Sequence, residues 1–183
     1  MPIKKKISIK TWEDPILRQV AIDVQPSEIS SKKFQVLVRN LLNTVEGEGV
    51  GLAAPQIGVS KRVFVMNFEP GKTELSNFVI VINPQILHKS DDLEKEGEGC
   101  LSIPGMMGIV PRHRVIDVSY TDLSGKIVNQ QLCDYVARIF QHEYDHLDGI
   151  LFVDHIENKD RDFMTEDQYL ELEKKNPSDE SEL

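Results

Sequence analysis

The residues of this 183-residue chain with the clearest chemical potential are His142-Glu143-Tyr144-Asp145-His146, an H-E-x-x-H pattern. Histidines four apart share one face of a helix, with β-carbons about 5–6 Å apart, so both imidazoles can reach one metal ion. Glu143 follows the first of them and can face an open coordination position, taking a proton from water there. The third ligand decides the kind of site. One metalloprotease pattern places a glycine three residues past the second histidine and a further histidine three beyond that. Gly149 fits, but Phe152 holds the ligand position. Glu166, well past His146, has the spacing of another protease class, although an acid in the first turn of a short helix also serves the helix dipole. Cys100 is the better candidate. It lies in Glu96-Gly97-Glu98-Gly99-Cys100-Leu101-Ser102-Ile103-Pro104, whose glycines and proline predict an irregular segment presenting a thiolate with free backbone amides. A cysteine standing alone is more often an inert core residue; the two histidines shift that balance.

Several elements must position these groups. A serine cap at Ser30 or Ser31 precedes Phe34, Leu37, Val38, Leu41, Leu42 and Val45, the spacing of a one-sided amphipathic helix that Gly47 ends. Pro15 keeps Asp14 out of helix before a short ordered segment. Gly49 to Gly58 is too glycine-rich for a helix. Two β-branched runs, Lys61 to Phe68 and Phe78 to Asn83, flank a polar turn at Pro70-Gly71. Arg114 to Thr121 and Lys126 to Leu132 form a further strand pair around Asp122-Leu123-Ser124-Gly125. The charged stretch Lys89 to Gly99 is expected to be a surface loop. Helical spacing returns over Asp134 to Leu147, and Thr165 with Gln168 has the signature of a capping box for a last short helix. The expected fold is α+β: antiparallel β-sheets packed around a central helix carrying the H-E-x-x-H motif, with an N-terminal and a short C-terminal helix. Residues 1–175 would form one catalytic domain, and 176–183 a disordered acidic tail.

Composition narrows the classes without naming an activity. A net charge of −9 argues against sequence-independent nucleic-acid binding, which needs clustered Lys and Arg. No apolar run approaches the length of a membrane span, and no apolar segment of a secretory signal follows Lys4-Lys5-Lys6. Two cysteines are too few for a disulfide framework and suggest a reducing, cytoplasmic compartment. Much of the negative charge sits at Asp91 to Glu98 and at the C-terminal end, both expected to lie away from the His-bearing helix.

Three segments, Gly49-Val50-Gly51-Leu52-Ala53-Ala54-Pro55-Gln56, Glu98-Gly99-Cys100-Leu101-Ser102 and Gln141-His142-Glu143-Tyr144-Asp145-His146, resemble the signature motifs of peptide deformylases, in the family's order. The resemblance extends from Asp14-Pro15-Ile16-Leu17-Arg18 to Gly149-Ile150-Leu151-Phe152. It implies a metallohydrolase that removes the N-formyl group from the N-terminal methionine of nascent proteins, usually with Fe²⁺, one per chain. Zn²⁺, Ni²⁺ or Co²⁺ also suit the donor set. Carried onto this sequence, it makes Cys100, His142 and His146 the metal ligands. Metal-bound hydroxide would attack the formyl carbon, with Glu143 as general acid/base. The Gln56 amide and the Leu101 backbone N–H would donate to the developing oxyanion. Glu98 and Arg112 match a buried ion pair of the family that would hold the segment bearing Cys100.

The remaining residues follow from their own chemistry. Gly49 and Gly51 let backbone lie close to an extended peptide. Ile139, on the same helix face as His142, and Val50 are the candidates for a methionine pocket, with Tyr135 flanking. Arg138 is expected to pair with an acid at the rim, and Cys133 to be a small core residue. His88, His113 and His155 are expected at surface or structural positions. Met107 stands where many family members carry a substrate-contacting arginine. The acidic C-terminal end makes a basic ribosome-docking helix doubtful, so ribosome contact is expected to be transient or to use Lys4-Lys5-Lys6. Two rivals remain open at this point: a zinc endopeptidase using Glu166, and a structural metal module. The latter has no use for Glu143.

Overall fold

In chain order the elements are a 3₁₀ turn at Pro15–Arg18, α1 (Pro26–Ile29), α2 (Lys32–Val45), β1 (Gly51–Ala53), a 3₁₀ turn at Ala54–Ile57, β2 (Val63–Asn67), β3 (Phe78–Lys89), β4 (Leu93–Cys100), β5 (Ile103–His113), β6 (Val115–Thr121), β7 (Ile127–Cys133), α3 (Asp134–Leu147), a 3₁₀ turn at Phe152–Asp154, α4 (Lys159–Asp162), β8 (Phe163–Thr165) and α5 (Glu166–Lys175). They come from a computed structural model that describes residues 6–69 and 77–175. The expected turn at Pro70-Gly71, the lysines at 4 and 5, and the expected tail at 176–183 lie outside the described residues.

The strands form a five-stranded sheet, β1-β2-β3-β6-β7, and a three-stranded sheet, β4-β5-β8, with antiparallel neighbours throughout. α2 covers one face of the larger sheet, α3 the other. β2 therefore has both faces buried: Val63 and Val65 pack with Val38, Leu41 and Val45 of α2, whereas Phe64 and Met66 pack with Ala137, Phe140 and Leu147 of α3. A strand covered on both sides favours apolar residues on both faces, which explains the unbroken apolar run from Val63 to Met66. Phe64 and Phe140 meet edge to face at 5.2 Å, fixing α3 against this sheet. A third cluster, including Leu17, Ile103, Val110, Leu151 and Phe152, fills the space under the smaller sheet.

Local chemistry sets the ends. Ser31 caps α2 by accepting from the Phe34 N–H, a contact typically worth about 1 kcal/mol, and Gly47 follows in the left-handed region at φ 75°. Thr165 and Gln168 cap α5 reciprocally: each side chain accepts the other's backbone N–H.

Three expectations change. β3 does not stop at Asn83 but continues to Lys89 across a bulge. Asn83 adopts φ 49° and exchanges side-chain hydrogen bonds with the Val24 backbone, and Pro84 has no N–H for the ladder, so pairing with β6 lapses and resumes at Gln85. The stretch taken as a surface loop is β4, paired with β5 from Leu93 to Cys100. Its glutamates look solvent-bound in sequence. In an alternating strand, however, Glu96 and Glu98 share a side, and Arg138 of α3 meets both. The acidic run is thus joined to the His-bearing helix rather than remote from it. The segment around Cys100 is irregular as expected: the register breaks between Gly99, opposite Met107, and Cys100, opposite Ile103, and a two-residue turn at Leu101-Ser102 leads into β5.

Candidate metal centre

α3 runs between the two sheets, so its two sides do different work. Ala137, Phe140 and Leu147 enter the core, while Arg138, His142 and Asp145 face the β4–β5 hairpin. With helical spacing, His142 and His146 project together, their rings 5.1 Å apart. The hairpin brings Cys100 to the same point. Ligand atoms of Cys100, His142 and His146 all lie within 4.8 Å of one another, with Cys100 Sγ 3.3 Å from His146 Nε2. Among the described residues this is the Cys, His and acid grouping able to hold a metal ion. Glu166 is not part of it.

The ligands are oriented from behind. Glu98 Oε2 accepts from His142 Nδ1 at 2.9 Å, which turns Nε2 of that ring toward the cluster. Arg112 donates to both Glu98 oxygens, at 2.9 and 3.0 Å, and Arg138 adds a third bond at 2.9 Å. Burial alone would raise the Glu98 carboxyl; the bonds from His142 and Arg112 outweigh it and hold the group below the usual range. Arg112 also binds Asp145, which accepts from His155 Nε2 at 2.7 Å. Phe152 stacks against the His142 ring, centroids 6.3 Å apart. Arg138 is therefore no rim residue: it is buried, with further bonds to the carbonyls of Val110 and Glu94.

The donor set fits a borderline divalent cation. A thiolate and two imidazoles converge, and Nδ1 of the buried His146 and Oε2 of the buried Glu143 have no hydrogen-bond partner. Burial would raise the Cys100 thiol, but His146 and His142 pull it well below its ordinary value, which favours the thiolate form that a metal ligand needs. Burial pushes the Glu143 carboxyl up to about 7.

Gln56 closes the group. Its Oε1 accepts the Ala53 N–H at 2.8 Å, so Nε2 must face the other way, 3.2 Å from Ser102 Oγ and 3.6 Å from Cys100 Sγ. Leu101 begins the turn directly after Cys100.

A cleft of about 480 Å³ opens onto these groups. Gly49, Val50 and Gly51 form one wall, Gly97 to Leu101 the other, and Ile139, His142 and Glu143 the floor. Both walls end in free strand edges, because β1 and β4 are the outermost strands of their sheets. Gly49, Val50, Gly51, Gln56, Glu98, Cys100, Leu101, Ile139, His142 and Glu143 line the cleft, His146 completes the ligand group and Arg112 stands directly behind Glu98. Cys133 does neither: it is exposed at the junction of β7 and α3. Sequence reasoning missed Glu48 in the cleft lining and weighed Glu166 only as a metal ligand; His155 holds a structural position behind the site, as expected. No motif spacing announces Glu48, or a cleft-lining role for Glu166, since both arrive from distant elements.

A family model described as Polypeptide deformylase matches residues 6–162. "Peptide deformylase 2" of Nostoc sp. is 43% identical over 169 residues, covering 89% of this chain and 92% of the relative. A crystal structure of class I type b peptide deformylase from Acinetobacter baumannii, bound to Met-Ala-Ser, matches with a TM-score of 0.78 at 36% identity, over 84% of this chain and 100% of that one. An actinonin complex of a peptide deformylase from Synechococcus elongatus matches with a TM-score of 0.77 at 38% identity, over 85% and 86% of the two chains.

Proposed function

The chain belongs to the polypeptide deformylase family, and from that membership and the cleft we infer a metal-dependent hydrolase that removes the N-formyl group from N-terminal methionine, giving formate and a free amino terminus. The observation that carries this reading is the convergence of Cys100, His142 and His146 beside the buried, unpartnered Oε2 of Glu143. A structural metal site would gain nothing from that carboxylate.

Cys100, His142 and His146 would hold the ion, one per chain. Once bound, it acts as a Lewis acid and makes water ionisable near neutral pH. We assign Fe²⁺ as the native metal; Zn²⁺, Ni²⁺ and Co²⁺ suit the same one-sulfur, two-nitrogen set. Glu143 takes the proton of the attacking water and delivers it to the leaving amine. A carboxyl raised to about 7 is well matched to both halves of that task at neutral pH. Gln56 Nε2 and the Leu101 backbone N–H donate to the formyl oxygen as charge grows on it, each such donor typically worth about 2.7–4 kcal/mol. Their value lies in being fixed beforehand, and Ala53 and Ser102 fix Gln56.

The peptide lies extended between the free edges of β1 and β4, pairing with backbone at Gly49, Gly51 and Gly99. Ile139 and Val50 bound the methionine side chain. Met-Ala-Ser, bound by the A. baumannii relative, is a product of this reaction class. Glu98 and Arg112 act only through His142, as positioning residues.

No observation favours the endopeptidase reading, because Glu166 stands outside the three-ligand group. Among the described residues no helix is long and apolar enough to cross a membrane. The thiolate's liability to oxidation supports a reducing cytoplasm as the place of action. The acids of α5 support a transient contact with the ribosome rather than a docked one. Chelation should abolish formate release from formyl-Met-Ala-Ser, and Fe²⁺ added without oxygen should restore it; activity that survives chelation would refute the reading.

A further inference from the structure

We propose that Glu166 makes this chain select formyl-methionyl peptides with a Lys or Arg side chain shortly after the methionine, an inference that rests on the deformylase reading of the cleft. A peptide with its methionine over α3 must leave through the mouth of the cleft, so the charges lining that mouth meet its next residues. Of the charged residues in the lining, Glu98 and Arg138 are buried and bonded to each other, and Glu143 lies in the floor with its unpartnered oxygen beside the reacting centre. Two exposed charges remain, Glu48 and Glu166, and both are carboxylates. Glu48 is already engaged by Lys6 at 2.6 Å. Glu166 has no ion pair among the described residues.

Glu166 is held in place rather than carried on a loose end. β8 pairs with β5, Thr165 opposite Met106 and Met164 opposite Met107, and α5 starts at the next residue. Three residues on, Tyr169 lies over Gly97 of β4 so closely that a β-carbon there would come within 2.5 Å of its ring carbon Cε2. The helix is thereby latched to the strand whose edge forms one wall. Asp167 can serve the dipole of α5 equally well, yet it does not line the cleft. Met106 and Met107, which do, offer apolar surface to the stem of a Lys or Arg whose charge reaches Glu166.

The test compares kcat/KM for formyl-Met-Lys-Ala and formyl-Met-Ala-Lys with their Glu counterparts, using the full Fe²⁺-loaded chain. An exposed carboxylate predicts a Lys over Glu preference of about threefold to tenfold, shrinking at high salt. Glu166→Gln should bring the ratio toward unity, and Glu166→Lys should invert it. A ratio near one, or one that Glu166→Lys leaves unchanged while formyl-Met-Ala-Ser is still turned over, overturns the proposal. Failure to release formate from formyl-Met-Ala-Ser would instead refute the deformylase reading, and this inference would fall with it.

Discussion

Gly51 has no side chain because Glu143 occupies its place. A β-carbon on Gly51 would lie 2.8 Å from Cδ of Glu143 and 2.9 Å from Cγ. The glycine that lets a peptide approach β1 therefore also seats the proton-carrying carboxylate. Gly51→Ala should push Glu143 out of line and lower kcat about 100-fold or more, the usual penalty for misplacing a reacting group by an ångström. Metal content should stay at one ion per chain. Near-normal kcat in that variant would separate Glu143 from the chemistry.

The two cysteines should behave oppositely. Cys133 is exposed, and Cys100 stands at the centre of the metal cluster. In metal-loaded protein a thiol reagent should modify Cys133 quickly and Cys100 only after chelation. Cys100→Ala should abolish metal retention, whereas Glu166→Ala should leave it intact. Elemental analysis decides between them, and the reverse result would restore Glu166 as the third ligand.

Arg112 bridges the buried carboxylate of Glu98 and the part-buried one of Asp145. Removing one partner of such a group leaves charge buried without compensation, which costs about 3–5 kcal/mol. Arg112→Leu should show that loss in urea unfolding. It should also weaken metal binding, because Glu98 orients His142.

Acid should act through the same cluster. Burial would raise both carboxyls, but His142 and Arg112 hold Glu98 below its ordinary 4.5, and His155 and Arg112 hold Asp145 below 3.8. A carboxyl lower in the folded state than in the unfolded one contributes fully above its unfolded value. That contribution drains away as pH falls below it. The part of the unfolding free energy due to Glu98 and Asp145 should therefore be level above about pH 5 and fall steadily below about pH 4.5, whereas Glu143, raised to about 7, adds stability as pH falls from about 7 toward 4.5. Measuring it on Cys100→Ala separates this loss from metal release, and an acid limb with no slope would contradict the assignment.

Helical elements with a strong apolar stripe were legible in the sequence: α2 and α3 fall where Phe34 to Val45 and Asp134 to Leu147 place them, and the β6–β7 hairpin follows from its Asp-Leu-Ser-Gly turn. β4 was not legible. Period-two alternation in Leu93 to Cys100 puts charge on one side and lysine or glycine on the other, which reads as solvent on both. The family resemblance pairs Arg112 with Glu98, but only the fold shows Arg138 and His142 meeting those acids. Arg138 misled for the same reason, since a guanidinium one turn before a metal ligand looks like a surface group until its partners arrive from β4 and β5. The metal ligands were legible because their spacing is imposed by helix geometry. The outer cleft was not, because Glu48 comes from a distant element with no local signature and the spacing of Glu166 pointed to a metal ligand instead.

The most direct test of the central claim is the product formed from one substrate. Protein purified without oxygen and loaded with Fe²⁺ is incubated with formyl-Met-Ala-Ser, and formate and free peptides are quantified together. The account predicts formate and intact Met-Ala-Ser in equal amounts, with no cleavage of either internal peptide bond, and loss of both products in Glu143→Gln that still holds its metal. Cleavage of an internal bond without formate release would contradict it.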